Sequence, residues 1–304
     1  LHQSTRHENE IMALKVVDEI RDDFALRGRS ELYRVDLKSM ASAHRLHQGI
    51  NLRGHQVWAS YEHFQEILAI RNQPADEELW DIVEFFSSHS DPNLFKERHA
   101  LSQSEFRKLV QPLIRTGHIV QDFRGGFRSV FVPEGVDRAE LRKEYIRKLV
   151  EKFPVITLRQ LTQLAGPSFK PEELKAVLNA FEEDETLIKG FLIEDFHQVC
   201  WGRKELLQEA KSIPSIRDFV LPPSDPIAPY FADIMKERFG FGSAYLVFRN
   251  AEPVAAFKAN TRNKIIDVKD YEGSEKAWRI VKEFAWEHQM PLQTDLRIGG
   301  KKLQ

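Results

Sequence analysis

Four cations, Arg107, Lys108, Arg124 and Arg128, share the stretch Leu101 to Val132 with a twin glycine, Gly125-Gly126. That stretch holds five Lys or Arg against two acids, whereas the whole chain carries 44 basic and 46 acidic side chains. Cations concentrated in this way suit a phosphate backbone, because each neutralised phosphate releases condensed counterions. The plainer alternative is a solvated helix face followed by an ordinary hairpin. A second cationic set, Arg142, Arg147 and Lys148, lies on a predicted helix further along. Four histidines, His44, His47, His55 and His63, cluster loosely in the first quarter. No Cys stands near them at zinc spacing, so they read as scattered surface residues and no metal is expected.

The elements that must hold the first cations are legible. Phe106, Leu109, Val110, Leu113 and Ile114 recur at helical spacing and give one apolar face, with Arg107 and Lys108 off it. Ser102 followed by Glu105 is a capping box, with Leu101 and Phe106 as its staple. After Gly117 the period changes to that of strands, Ile119 to Phe123 and Phe127 to Val132, turning at Gly125-Gly126 with Arg124 and Arg128 on either side. A helix running into a two-stranded ribbon is the second half of a winged-helix unit, whose third helix commonly enters the major groove. The first half falls before it. A helix over Glu78 to Phe86 should turn Trp80, Val83 and Phe86 inward, and a short one covers Asn93 to Arg98.

The plan repeats from Arg138 to Trp201. Leu141, Tyr145, Leu149 and Phe153 line one helix, and Thr157 with Gln160 makes another capping box. Pro171 suits a first helical position, ahead of Glu172 and Glu173. A ribbon follows, Leu187 to Ile193 and Phe196 to Trp201, turning at Glu194-Asp195. Laid over the first unit, Val110 and Leu113 match Leu178 and Phe181, a faint internal repeat. Its third helix is acidic and would repel phosphate. This unit is therefore expected to pack on a neighbour or to approach nucleic acid through Arg142, Arg147 and Lys148.

The flanks differ in clarity. Ile11, Leu14, Val17, Ile20 and Phe24 suggest one helix, and Trp58, Phe64, Ile67 and Leu68 another. At the other end LPPSDPIAPY, Leu221 to Tyr230, should hold the chain extended. Beyond it come strands Ala244–Phe248, Val254–Lys258 and Lys264–Val268, a helix capped by Ser274, and a last strand Leu292–Ile298. A ββ-β-α-β order makes a small sheet with a helix on one face.

The totals set bounds. A length of 304 residues favours two or three domains. No apolar run is long enough to span a bilayer, the first residues do not read as a signal peptide, and Cys200 is the only cysteine. A reducing, cytoplasmic and nucleoid-associated setting is expected. The chain begins at Leu1 rather than Met, which suits the tail of a longer polypeptide. It carries no GxxxxGK[ST] loop, so it is not expected to hydrolyse ATP.

Gly190-Phe191, Gln198 and Arg203, followed by Asp225-Pro226 and Pro229-Tyr230, resemble the C-terminal region of large helicase-related (Lhr-type) superfamily-2 helicases. The resemblance covers about Arg138 to Gln304. The tail of that family is in turn similar to bacterial winged-helix DNA glycosylases of the AlkZ kind. This chain has Ala228 where the helicase family often has Asn, and only Asp295 near its end as an acidic residue. The resemblance implies an accessory part of a nucleic-acid-remodelling ATPase, with ATP and Mg needed only by motor domains in the same or a partner chain. Base excision would need a carboxylate or amide beside a flipped nucleotide, and Asp225 with Gln198 are the residues that could supply them. For Asp225 the competing role is a turn, since an Asp before Pro bonds backbone amides two residues on.

The expectation is thus an α+β protein of tandem winged-helix units followed by a small αβ sandwich end domain. Its divisions are a helical N-terminal segment over 1–72, winged helices over 73–135 and 136–212, and the end domain over 213–304. Its leading function is nucleic-acid binding, to duplex, forked or single-stranded DNA or to RNA, as a helicase accessory region without the motor and with no membrane partner. The alternatives are a DNA glycosylase acting on damaged or uracil-containing DNA, and a protein-interaction scaffold.

Overall fold

The computed structural model describes residues 19–21, 37–43, 45–192, 198–209, 218–225, 227–250, 252–262, 264–298 and 301–302. They fall in two compact units, one holding the described residues up to Gln208 and the other those from Glu209 onward. Ile11, Leu14, Val17, Phe24, His44 and the Glu194-Asp195 turn lie outside the described residues.

The first unit opens with α1 (Leu37–Ala43), β1 (His47–Ile50), β2 (Gln56–Ala59) and α2 (Tyr61–Arg71). The two strands correct the reading of this stretch as purely helical. They form an antiparallel hairpin from His47↔Ala59 to Ile50↔Gln56. Trp58 belongs to β2, and the helix starts only at Tyr61, where Ser60 accepts the N–H of His63. Ile20 is extended rather than helical and exchanges both backbone hydrogen bonds with Trp58, at 2.9 and 2.7 Å. α2 lies directly on β1: a Cβ at Gly49 would stand 2.6 Å from the Phe64 ring.

A 3-10 turn, Glu77–Leu79, leads into α3 (Trp80–Ser88), α4 (Pro92–Arg98) and α5 (Gln103–Thr116). Ser102 and Glu105 form the expected capping box, worth about 1 kcal/mol. Gly117, at φ 91°, ends α5 and swings the chain into β3 (Ile119–Gln121), which pairs with β4 (Phe127–Ser129). Ile82, Val83, Phe86, Phe95, Phe106, Val110, Leu113, Ile119 and Phe127 close one core. Trp80 stays outside it, 49% exposed, which corrects the inward reading. As the first residue of α3 it overhangs the core that Val83 and Phe86 already fill. The wing does not stand alone either. β1 pairs with β3 through Gln48↔Gln121, giving a four-stranded sheet in the order β2-β1-β3-β4.

The second winged helix comprises α6 (Arg138–Glu151), β5 (Val155–Thr157), α7 (Leu158–Ala165), α8 (Pro171–Glu183), β6 (Leu187–Gly190) and β7 (Cys200–Arg203). Thr157 and Gln160 make their capping box, and Pro171 takes the first turn of α8. The sheet runs β5-β7-β6, all antiparallel. Among the described residues the first winged helix has no strand matching β5; there the Ser90 carbonyl accepts the N–H of Phe127, at 2.8 Å. α9 (Lys204–Glu209) follows β7.

The second unit holds a five-stranded sheet of order β12-β11-β10-β9-β8. Its strands are β8 (Phe219–Leu221), β9 (Tyr245–Arg249), β10 (Glu252–Arg262), β11 (Ile265–Gly273) and β12 (Leu292–Thr294), with only β11 and β12 parallel. The proline-rich stretch is not extended as expected. Pro229 opens a 3-10 turn, Ala228–Phe231, which runs into α10 (Ala232–Phe239). The fixed φ of proline is compatible with a first helical turn, so prolines there start a helix rather than forbid it. Both sheet faces are therefore covered. Trp278, Val281 and Phe284 of α11 (Glu275–Glu287) pack with Phe257 and Ile266 of the sheet, and Met235 of α10 packs with Leu221, Phe241, Leu246 and Phe248. The expected last strand is interrupted, leaving β12 and a separate ribbon of β13 (Arg297–Ile298) and β14 (Lys301–Lys302).

Candidate nucleic-acid interface

The bend of the β3–β4 ribbon is organised by Asp122. Its Oδ1 accepts the N–H groups of Arg124 and Gly126, each at 2.8 Å. Its own N–H donates to the Gly126 carbonyl at 2.8 Å. Gly125 has φ 89°, a left-handed conformation, and a Cβ at Gly126 would sit 2.8 Å from Asp122 Oδ2 and 3.2 Å from the Ser90 carbonyl. Both glycines are thus required, one by backbone angle and one by crowding. The fold spends them on a tight bend that carries Arg124 outward.

Arg107, Lys108, Arg124 and Arg128 are all exposed, and among the described residues no carboxylate pairs with any of them. Arg128 is nonetheless ordered. Its guanidinium lies 3.7 Å above the centre of the Tyr61 ring, and the Tyr61 hydroxyl donates to the Ser129 carbonyl at 2.8 Å. Gln65, one turn along α2, donates to the Phe131 carbonyl at 2.8 Å. α2 therefore braces the strand that bears Arg128. Arg124 stands 5.2 Å from the centre of the Phe123 ring. The arrangement presents two exposed cations on α5 and two on the ribbon, charges of the kind that phosphate contacts use.

The second cationic set is already spent. Arg142 donates to both carboxylate oxygens of Glu173 at 2.7 Å, to the Ile70 carbonyl at 2.9 Å and to the Ser168 carbonyl at 2.7 Å. Arg147 is held by Glu144 and Glu151, and Lys148 lies 3.4 Å from Glu66. Hydrogen bonding from Arg142 lowers the Glu173 carboxyl below its ordinary range, against partial burial. Arg142 ties α6 to α2 and α8, Lys148 ties it to α2, and Arg147 pairs within α6, so each of these cations already has a carboxylate partner in the chain.

Asp225 and Gln198 belong to different units. Asp225 is buried, 1% exposed, and its Oδ1 accepts the N–H of Ile227 at 2.8 Å while its carbonyl accepts that of Ala228 at 3.0 Å. This is the geometry of a turn that launches the following 3-10 helix. Gln198 is exposed, and its carbonyl accepts the Cys200 thiol at 3.4 Å.

A polar cluster that the linear sequence hides lies under β1 and β2. Glu19, 7% exposed, accepts from the Asn51 amide, stands 3.2 Å from His63 Nε2 and lies 3.7 Å from Arg53. Burial pushes the Glu19 carboxyl up, but His63, Arg53 and Asn51 together outweigh it and hold it at about 2. Asn51 Oδ1 in turn accepts the N–H groups of Arg53 and His55. The members are 32 and 44 residues apart from Glu19, so no local spacing announces them. Among the described residues, no group of three or more His, Cys, Asp or Glu side chains is arranged to hold a metal ion. No described helix is long and apolar enough to cross a membrane.

No family model matches the chain, and no curated protein matches it. Among solved structures, the DNA glycosylase AlkZ of Streptomyces sahachiroi is similar in fold, with a TM-score of 0.56 at 11% identity. The correspondence covers 94% of this chain and 99% of that one, so it takes in both units rather than a single winged helix.

Proposed function

We propose that the protein binds duplex DNA through α5 and the β3–β4 ribbon and acts as a DNA glycosylase on damaged or uracil-containing DNA. The observation that carries this reading is the exposed quartet Arg107, Lys108, Arg124 and Arg128, set on a scaffold similar throughout to a chain that is itself a DNA glycosylase. A winged helix whose recognition helix and wing are both cationic can grip the backbone on either side of a lesion, leaving the target nucleotide to be rotated out of the stack. The helicase-accessory reading rests on the sequence resemblance alone, and the fold likeness adds nothing to it.

Two experiments test the proposal. Titration of a labelled duplex should give affinity that falls steeply with salt. Arg124→Ala with Arg128→Ala should weaken binding alike for all sequences and reduce the salt slope by about two, roughly one per lost phosphate contact. Incubation with duplexes bearing uracil or alkylated bases, followed by alkali, should give strand breaks at the lesion. Intact strands at every lesion tried would remove the glycosylase activity and leave DNA binding. Asp225→Asn retains an oxygen for the Ile227 N–H and so keeps the turn; unchanged excision in that variant assigns Asp225 to structure alone.

A further inference from the structure

His47 lies on β1, 8% exposed, and among the described residues its Nδ1 has no hydrogen-bond partner. Its ring is 5.7 Å from that of Tyr61, the same ring on which the Arg128 guanidinium rests at 3.7 Å. Tyr61 thus neighbours both a buried imidazole and an exposed cation. Buried polar atoms are nearly always satisfied, so an unpartnered imidazole nitrogen beside a surface arginine calls for a reason.

We propose that Arg128, Tyr61 and His47 form one phosphodiester-binding step at the base of the wing, Tyr61 pre-ordering Arg128 and His47 taking up a proton from water when a DNA phosphate arrives. The proposal rests on the DNA-binding reading above. Four charged or polar groups face the imidazole: Arg128 from β4, Asp122 from the bend, Glu62 from α2, and the Arg45 backbone. Burial holds His47 below the usual histidine range and Arg128 adds to that, while Asp122, Glu62 and Arg45 pull the other way. A phosphate on Arg128 cancels the repulsive charge and adds an attractive one, so the bound state favours the imidazolium. By linkage, a proton gained on binding makes affinity rise as pH falls, and phosphate affinity and proton affinity rise together.

The test uses the full chain and a labelled duplex, with anisotropy read between pH 8 and 6 at fixed ionic strength. Wild-type affinity should increase severalfold toward pH 6, with a limiting slope of about tenfold per pH unit for one proton. His47→Gln and His47→Asn, checked for an unchanged melting profile, should flatten that slope. The His89→Gln/His99→Gln pair, which removes exposed imidazoles, should preserve it. Tyr61→Leu, which removes the ring beneath Arg128, should weaken binding severalfold at both pH values. Calorimetric titration in buffers of different ionisation enthalpy should show fewer protons taken up by His47→Gln than by wild type. Binding with a wild-type slope in both His47 variants overturns the proposal. No binding at any pH in low salt overturns the DNA-binding reading itself, and this inference with it.

Discussion

At the scale of single residues, charge matters less than what the charge is already doing. Arg124 and Arg142 are the same side chain, yet among the described residues no carboxylate pairs with the Arg124 guanidinium, while that of Arg142 grips Glu173 with two nitrogens. Arg142→Gln should therefore destabilise the fold by about 2 kcal/mol, within the range for charge-assisted bonds, and leave the salt slope of DNA binding untouched. Asp122→Ala should behave in the opposite manner. Losing the two bonds that shape the bend costs about 1–2 kcal/mol locally. It also frees Arg124 to wander, so DNA affinity should drop more than thermal stability does, read by anisotropy and by melting. The sequence makes the Gly125-Gly126 bend and both capping boxes plain, because their partners lie within four residues. The partner of Arg142 is 31 positions away, which no local pattern can reveal.

At the scale of elements, the wing is part of a larger sheet. β1 and β2 were invisible in the sequence because each is four residues long and β1 spells His-Gln-Gly-Ile, with little β propensity. They become strands because Phe64 on α2 packs against Gly49 and Ile20 completes the edge at Trp58. The Glu19 cluster fixes this arrangement and gives it a pH signature. Glu19 is held at about 2, below the ordinary value of 4.5, so its contribution is complete above pH 4.5 and is lost as pH falls toward 2. On the order of 3 kcal/mol is at stake over that window. Glu19→Gln should lower the melting temperature at pH 7 and flatten the acid limb of a stability profile; a wild-type acid limb in that variant would detach the cluster from acid stability. The Leu221 to Tyr230 stretch departs from the expected extended form for a related reason. Proline count argued for extension, while the position of Pro229 at the start of a turn decided the outcome.

At the scale of the whole molecule, the α+β class and the two winged helices are legible from periodicity together with the capping boxes and the twin-glycine turn, since the apolar stripes are long enough to show a helical repeat. The sheet that joins the first wing to the N-terminal hairpin did not, because pairing between β1 and β3 spans more than seventy positions and leaves no local trace. The hydrogen bonds between Ile20 and Trp58 have a practical outcome for anyone trimming the protein. A version starting at Leu37 would lose the residues that close off β2, presenting bare amide and carbonyl groups to any other copy it meets. Such a shortened chain should form oligomers as its concentration rises in sedimentation runs, whereas the 304-residue chain keeps that flank occupied by its own backbone.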